Sequence, residues 1–202
     1  MKVLRFALCI AFLMAVSTAA VTALSNASLA QSGSAQAASA QPVSTPTNPQ
    51  KSFEQLKSLA GSWEGKVTTT PPMPEMDGGL MQVTLRVTSR GNALVHEMYE
   101  PGKANDPTHY DHPVTMLYMD GDRLLLTHYC DAGNRPHMAA RRSSDGKTLE
   151  FDLLEVSGST AYGHMQHAVF TIIDSNHHTE DWTYMMPGDK PIRAHLDLKR
   201  AQ

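Results

Sequence analysis

The chain has 202 residues, of which 41% are hydrophobic and 18% charged, and 17 basic residues face 20 acidic ones for a net charge of −3. That composition is globular, and its weakly acidic balance excludes the basic footprint of a nucleic-acid binder. With two cysteines in the whole sequence, Cys9 and Cys130, a disulfide-stapled scaffold is excluded as well.

Lys2 and Arg5 precede an apolar stretch from Phe6 to Val16, and small residues follow. This is the pattern of a secretory signal peptide over residues 1–30, its apolar stretch being short for a bilayer span. Ser28-Leu29-Ala30 supplies small side chains where a signal peptidase reads them, so cleavage is expected after Ala30, with Ala27 as the second site. Removal leaves 15 basic against 20 acidic residues and a charge of −5. A periplasmic or secreted protein is expected, without a stable membrane anchor after cleavage. Only Cys130 remains after cleavage, so no intramolecular disulfide is available and stability must come from a packed core.

Residues 31–50 are rich in Gln, Ser, Ala, Pro and Thr and have too little apolar surface to offset their ordering entropy, which predicts a disordered leader. Residues 51–202 form a single domain. Its first element is a short amphipathic helix over Pro49–Ala60, with Phe53, Leu56 and Leu59 three apart, Ser52 as N-cap and Gly61 as the stop. The helix is expected to cover one end of the domain.

Ten alternating runs follow: Gly61–Thr70, Leu80–Ser89, Ala93–Glu100, Pro113–Met119, Arg123–Cys130, Arg135–Arg142, Thr148–Val156, Gly163–Ile173, His178–Met186 and Ile192–Lys199. Asp120-Gly121, Asp145-Gly146, Arg90-Gly91-Asn92, Asp174-Ser175-Asn176 and Pro187-Gly188-Asp189 sit between them as turn formers. Sequential hairpins at this spacing predict an all-β, ten-stranded, up-and-down antiparallel barrel. Two connections exceed what a hairpin needs. One is Pro71–Gly79, whose Pro and Met side chains suit closure over an apolar ligand, and the other is the polar Pro101–His112.

Period-two alternation assigns the faces. Met81, Val83, Leu85 and Val87 are predicted inward, as are Leu149, Phe151 and Leu153. Leu124, Leu126, His128 and Cys130 share the inner face of their run.

Gly61, Trp63 and Gly65 resemble the Gly-x-Trp-x-Gly opening of the calycin superfamily, which includes the lipocalins. Taken with His195-Leu196 on the last run, the sequence looks most like the nitrobindin-type haem-binding barrels and the lipocalin-like bacterial families near them. The third glycine of the nitrobindin pattern is Val67 here. The resemblance implies haem b as a cofactor, His195 as its iron ligand, and nitric oxide or peroxynitrite as the small molecule handled. On parity, however, Ile192, Ala194, Leu196 and Leu198 take the apolar face and His195 the other. Independently of ligand, Trp63 is expected to plug the barrel floor with Arg200 stacked on it and Gly61 and Gly65 allowing close strand approach.

Ten histidines invite a metal, but their spacing does not build one. His164 and His167, three apart on a strand, are expected on opposite faces, as are His177 and His178. His109 and His112 share a polar loop with Asp106 and Asp111, without Cys-x-x-Cys or His-Glu-x-x-His, and read as solvated. No metal is therefore assigned. Cys130 and His128 on one face are a thiol and a base for a catalytic alternative, yet no third member or oxyanion hole is visible. The leading expectation is a non-enzymatic barrel, monomeric or homodimeric, that binds a small hydrophobic or amphipathic molecule. Its wall is Met81, Val83, Leu85, Leu126, His128, Phe151, Leu153 and Phe170, and its polar rim Tyr129, Asn134, Arg135 and His137. No cofactor beyond the haem alternative is expected.

Overall fold

The computed structural model describes residues 48–103, 112–141 and 146–202. The expected signal peptide and nearly all of the leader lie outside the described residues, as do Asp106, His109, Asp111, Arg142 and Asp145.

Helix α1 runs Asn48–Ser58 and so begins ahead of the boundary drawn at Lys51. Pro49 is in its first turn, where a missing N–H leaves no hydrogen bond unmade. Ser52 consequently lies inside the helix rather than capping it. The strands are β1 (Gly61–Thr70), β2 (Leu80–Thr88), β3 (Ala93–Tyr99), β4 (Val114–Asp120), β5 (Arg123–Tyr129), β6 (Arg135–Arg141), β7 (Thr148–Ser157), β8 (His164–Asp174), β9 (His177–Met186) and β10 (Lys190–Arg200). Each pairs antiparallel with its sequence neighbours, and β1 pairs with β10 to close the cylinder. Among the described residues the architecture is thus the ten-stranded up-and-down barrel with one short helix that the turn spacing predicts.

Closure depends on how near β1 and β10 can approach. Gly65 lies opposite Leu198, and a Cβ there would overlap the carbonyl of Asp197. Next to it Trp63 faces Arg200 in register, with the guanidinium centre 4.2 Å from the indole ring. Arg200 also donates to the carbonyls of Ala60 and Ser175, each at 3.0 Å. The indole N–H donates to the Leu59 carbonyl at 2.8 Å, tying the barrel floor to the end of α1. Phe53, Leu56 and Leu59 join Trp63, Val83, Leu85, Leu126, Phe151 and Phe170 in one continuous buried cluster. The helix therefore seals one end.

Two face assignments need correction. Val87 is 40% exposed, because it sits where β2 runs out into the Ser89–Gly91 turn and no longer has an interior beneath it. His164 and His167 do not diverge. The register between β8 and β9 shifts between Met165 and His167, and the extra residue at the bulge resets the pleat. Met165 and Ala168 then both face inward, while His164 bonds Gln166 and His167 bonds Asp152 on the outside.

Gly65→Ala should destabilise the barrel by about 1–3 kcal/mol through forced separation of β1 and β10. The urea midpoint of the variant measures it, and an unchanged midpoint would show that the seam tolerates a side chain.

Candidate functional site

At the end opposite α1 the interior opens into a cavity of about 300 Å³. Its walls carry six methionines: Met73 and Met76 from the β1–β2 loop, Met81 from β2, Met98 from β3, Met165 from β8 and Met186 from β9. Unbranched thioethers adapt to irregular apolar guests, which is why such side chains recur at tolerant binding surfaces. The loop that brings Met73 and Met76 over the opening is held by Asp77. Its Oδ1 accepts from the backbone N–H and hydroxyl of Thr69 at 2.5 and 2.6 Å, and its Oδ2 from the N–H of Met73 at 3.2 Å. Thr69 Oγ1 accepts from the Met73 N–H at 2.7 Å. The Pro- and Met-rich connection is thus a structured cover rather than a loose strand of chain.

Below the cavity the barrel interior turns polar. Along β9, His178, Glu180, Trp182 and Tyr184 share the inner face from the sealed end to the mouth. Glu180 is fully buried. Its carboxylate accepts from His96 Nε2 at 2.9 and 3.2 Å, from His178 Nε2 at 3.0 Å, and from the Trp182 indole N–H at 3.0 Å. Burial alone would raise the Glu180 pKa, but the facing charge of His96 and the hydrogen bonds from His178 and His96 outweigh it. The carboxyl is held well below the usual range. A carboxylate only accepts, so both imidazoles donate through Nε2, leaving Nδ1 of His96 and of His178 buried without a partner. His178 packs edge-on against Trp63 at 4.2 Å, which links this network to the floor.

One strand row joins it to the cavity. His96, Thr115 and His128 are consecutive register partners across β3, β4 and β5, and Thr115 Oγ1 lies 2.8 Å from His128 Nδ1. His128 is buried yet lines the cavity beside Trp182. Desolvation, reinforced by the charge of His96, lowers its pKa from 6.5 to about 3, so the ring is neutral near pH 7.

The structure distributes the residues singled out from sequence over three places. Met81, His128 and Cys130 line the cavity. Val83, Leu85, Leu126, Phe151 and Phe170 form the buried core, with Leu153 half-buried against it. The proposed rim residues lie elsewhere: Tyr129 and Arg135 are exposed, and His137 is half-buried on the outer face with its Nε2 3.2 Å from the Tyr118 hydroxyl. Asn134 is buried, and its amide donates to the carbonyls of Ser159 and Gly163 at 2.8 Å each, stitching two loops together. Alternation and spacing do not single out His96, Thr115, Glu180 or Asp77, and His178 stands out in the sequence only as the neighbour of His177. Both faces of β9 are polar in sequence, so alternation gave no winner there. The pairing of Trp182 with Glu180 two residues earlier was the one available signal.

His195 is on the outer face, 44% exposed in its side chain, with Nδ1 2.8 Å from Asp181 Oδ1. The residues present do not fit an iron ligated by His195 inside the lumen, because the imidazole and the cavity lie on opposite sides of β10. Among the described residues, no group of three or more His, Cys, Asp or Glu side chains is arranged to hold a metal ion. For the thiol–base alternative, His128 has its Nδ1 on Thr115 and its burial makes the ring a weak base near neutrality for drawing a proton from Cys130.

No protein-family model matches the chain, and no curated protein matches it in sequence. Solved structures match it by structural comparison. One is a protein of unknown function from the DUF3598 family of Nostoc punctiforme, 12% identical over 73% of this chain and 49% of that one, with a TM-score of 0.49. The chain therefore spans about half of that protein. A redesigned β-barrel matches at 12% identity over 73% and 95% of the two chains, with a TM-score of 0.34. Bovine odorant-binding protein, in complex with a selenium-containing odorant, matches at 15% identity over 81% and 78%, with a TM-score of 0.28.

Glu180→Ala should cost about 3–5 kcal/mol, since it leaves two buried imidazoles and an indole N–H without their acceptor. Denaturant unfolding measures the loss. For His128 the folded pKa is below the unfolded one, so its contribution is complete above about pH 6.5 and is lost as the pH falls toward 3. The slope attributable to it is up to about 1.4 kcal/mol per pH unit. His128→Leu should flatten the wild-type stability curve by that amount in this window, read from urea midpoints across pH.

Proposed function

We propose that this protein is an exported, non-enzymatic barrel that holds a small hydrophobic or amphipathic molecule at its open end. The observation that carries the reading is the cavity of about 300 Å³ between the methionine cover and the Trp182–His128 floor. Apolar, concave and supplied with few polar groups, it has the character of a small-molecule site. Export is supported by the Lys2–Arg5 start, the Phe6–Val16 stretch and the Ser28-Leu29-Ala30 site.

Ala194 and Leu196 line the cavity from β10, so Ala194→Trp should fill the space and reduce binding of an apolar fluorescent probe by about tenfold or more. Equal probe affinity in this variant and the wild type would sink the reading. Asp77→Ala should release the cover, raising probe dissociation rates and exposing the 71–79 loop to limited proteolysis. Edman sequencing of protein recovered from a periplasmic extract should begin at Gln31 or Ser28.

A further inference from the structure

We propose that the cavity selects electrically neutral ligands, those with a hydroxyl or carbonyl at one end of an apolar body, and rejects carboxylates of the same size. The inference rests on the binding reading above and adds the chemical class of the ligand.

The polar inventory of the cavity wall is short. Trp182 has committed its indole N–H to Glu180, and the Tyr184 hydroxyl donates to the Tyr162 carbonyl at 2.8 Å. Asp131 is at the exposed rim, where its Oδ2 accepts from the His112 N–H at 3.1 Å. The Cys130 thiol is a weak hydrogen bonder. At the deep end His128 has Nδ1 in contact with Thr115, which leaves Nε2 as the ring nitrogen available to a guest. Thr115 can donate or accept, so Nε2 can be presented either as N–H or as a lone pair. A hydroxyl satisfies both forms, and a carbonyl satisfies one.

A carboxylate meets the opposite situation at each end. Among the described residues no Lys or Arg lines the cavity. His128 does not supply the missing cation, because burial and the neighbouring His96 charge keep it neutral. Behind the floor the Glu180 carboxylate is matched by its partner His96, so the pair offers no free cation, and at the mouth stands the carboxylate of Asp131. An anion entering head-first would lose its hydration without a counter-charge, and one entering tail-first would rest its charge beside Asp131. The bond to His128 repays a neutral head, whose desolvation cost is far smaller.

The test is displacement of N-phenylnaphthylamine from the mature protein at neutral pH by decanol and by decanoate. Decanol should displace the probe at concentrations about tenfold lower or better, and His128→Leu should narrow that ratio by weakening decanol. Met186→Lys puts a cation at the cavity wall, and it should shift the ratio several-fold toward decanoate. Decanoate binding as tightly as decanol to the wild type would overturn the headgroup inference while leaving the ligand pocket intact. A folded protein, verified by circular dichroism, that binds neither the probe nor decanol would overturn both.

Discussion

The seam between β1 and β10 is the contact on which the molecule depends. An up-and-down sheet that fails to close presents two long edges and loses its interior. Here closure is made by the absence of a side chain at Gly65, which lets the strands meet across Asp197, and by the stack of Arg200 on Trp63. The same arginine reaches the carbonyls of Ala60 and Ser175, and the Trp63 indole reaches Leu59. One cation and one indole thus hold the first strand, the last strand and the helix together at the sealed end.

The interior is layered. Aliphatic and aromatic side chains fill the sealed half, a buried carboxylate with three donors occupies the middle, and methionines line the open half. Buried ion pairs are poor sources of net stability compared with apolar packing of equal volume, but removing one member is severe. That asymmetry suits Glu180 to fixing geometry. It orients Trp182, which forms part of the cavity floor, and it shares His96 with the row that ends at His128. The neutrality of the cavity floor therefore comes first from the burial of His128 and second from the charge of His96 behind it.

In the proposed binding site the methionine cover and the imidazole floor would meet different parts of a guest. Thioether side chains place few demands on the shape of an apolar body. A single neutral imidazole, by contrast, discriminates by charge and by the presence of a hydrogen-bonding group. In the proposed site, tolerance of shape combined with strictness about charge would follow from these two surfaces being on opposite walls of one small space.

Much of this was legible in the chain. Turn residues at regular intervals and alternating apolar positions determined ten strands, their order and most of their faces, because hairpin chemistry and pleat period are local properties. Gly61, Trp63 and Gly65 marked the closing seam, and Met81, Leu126 and Phe151 marked the interior. Local rules did not reach further. The bulge at Gln166 turned His164 and His167 to the same side, the exposed strand end released Val87, and the Asn134 amide went to brace two loops. The sequence by itself determined the cylinder and its greasy lining. Only the tertiary structure decided that His96, from a strand more than eighty residues away, would meet Glu180, since which polar side chains face one another across a closed barrel depends on its curvature and register, and no local pattern carries either.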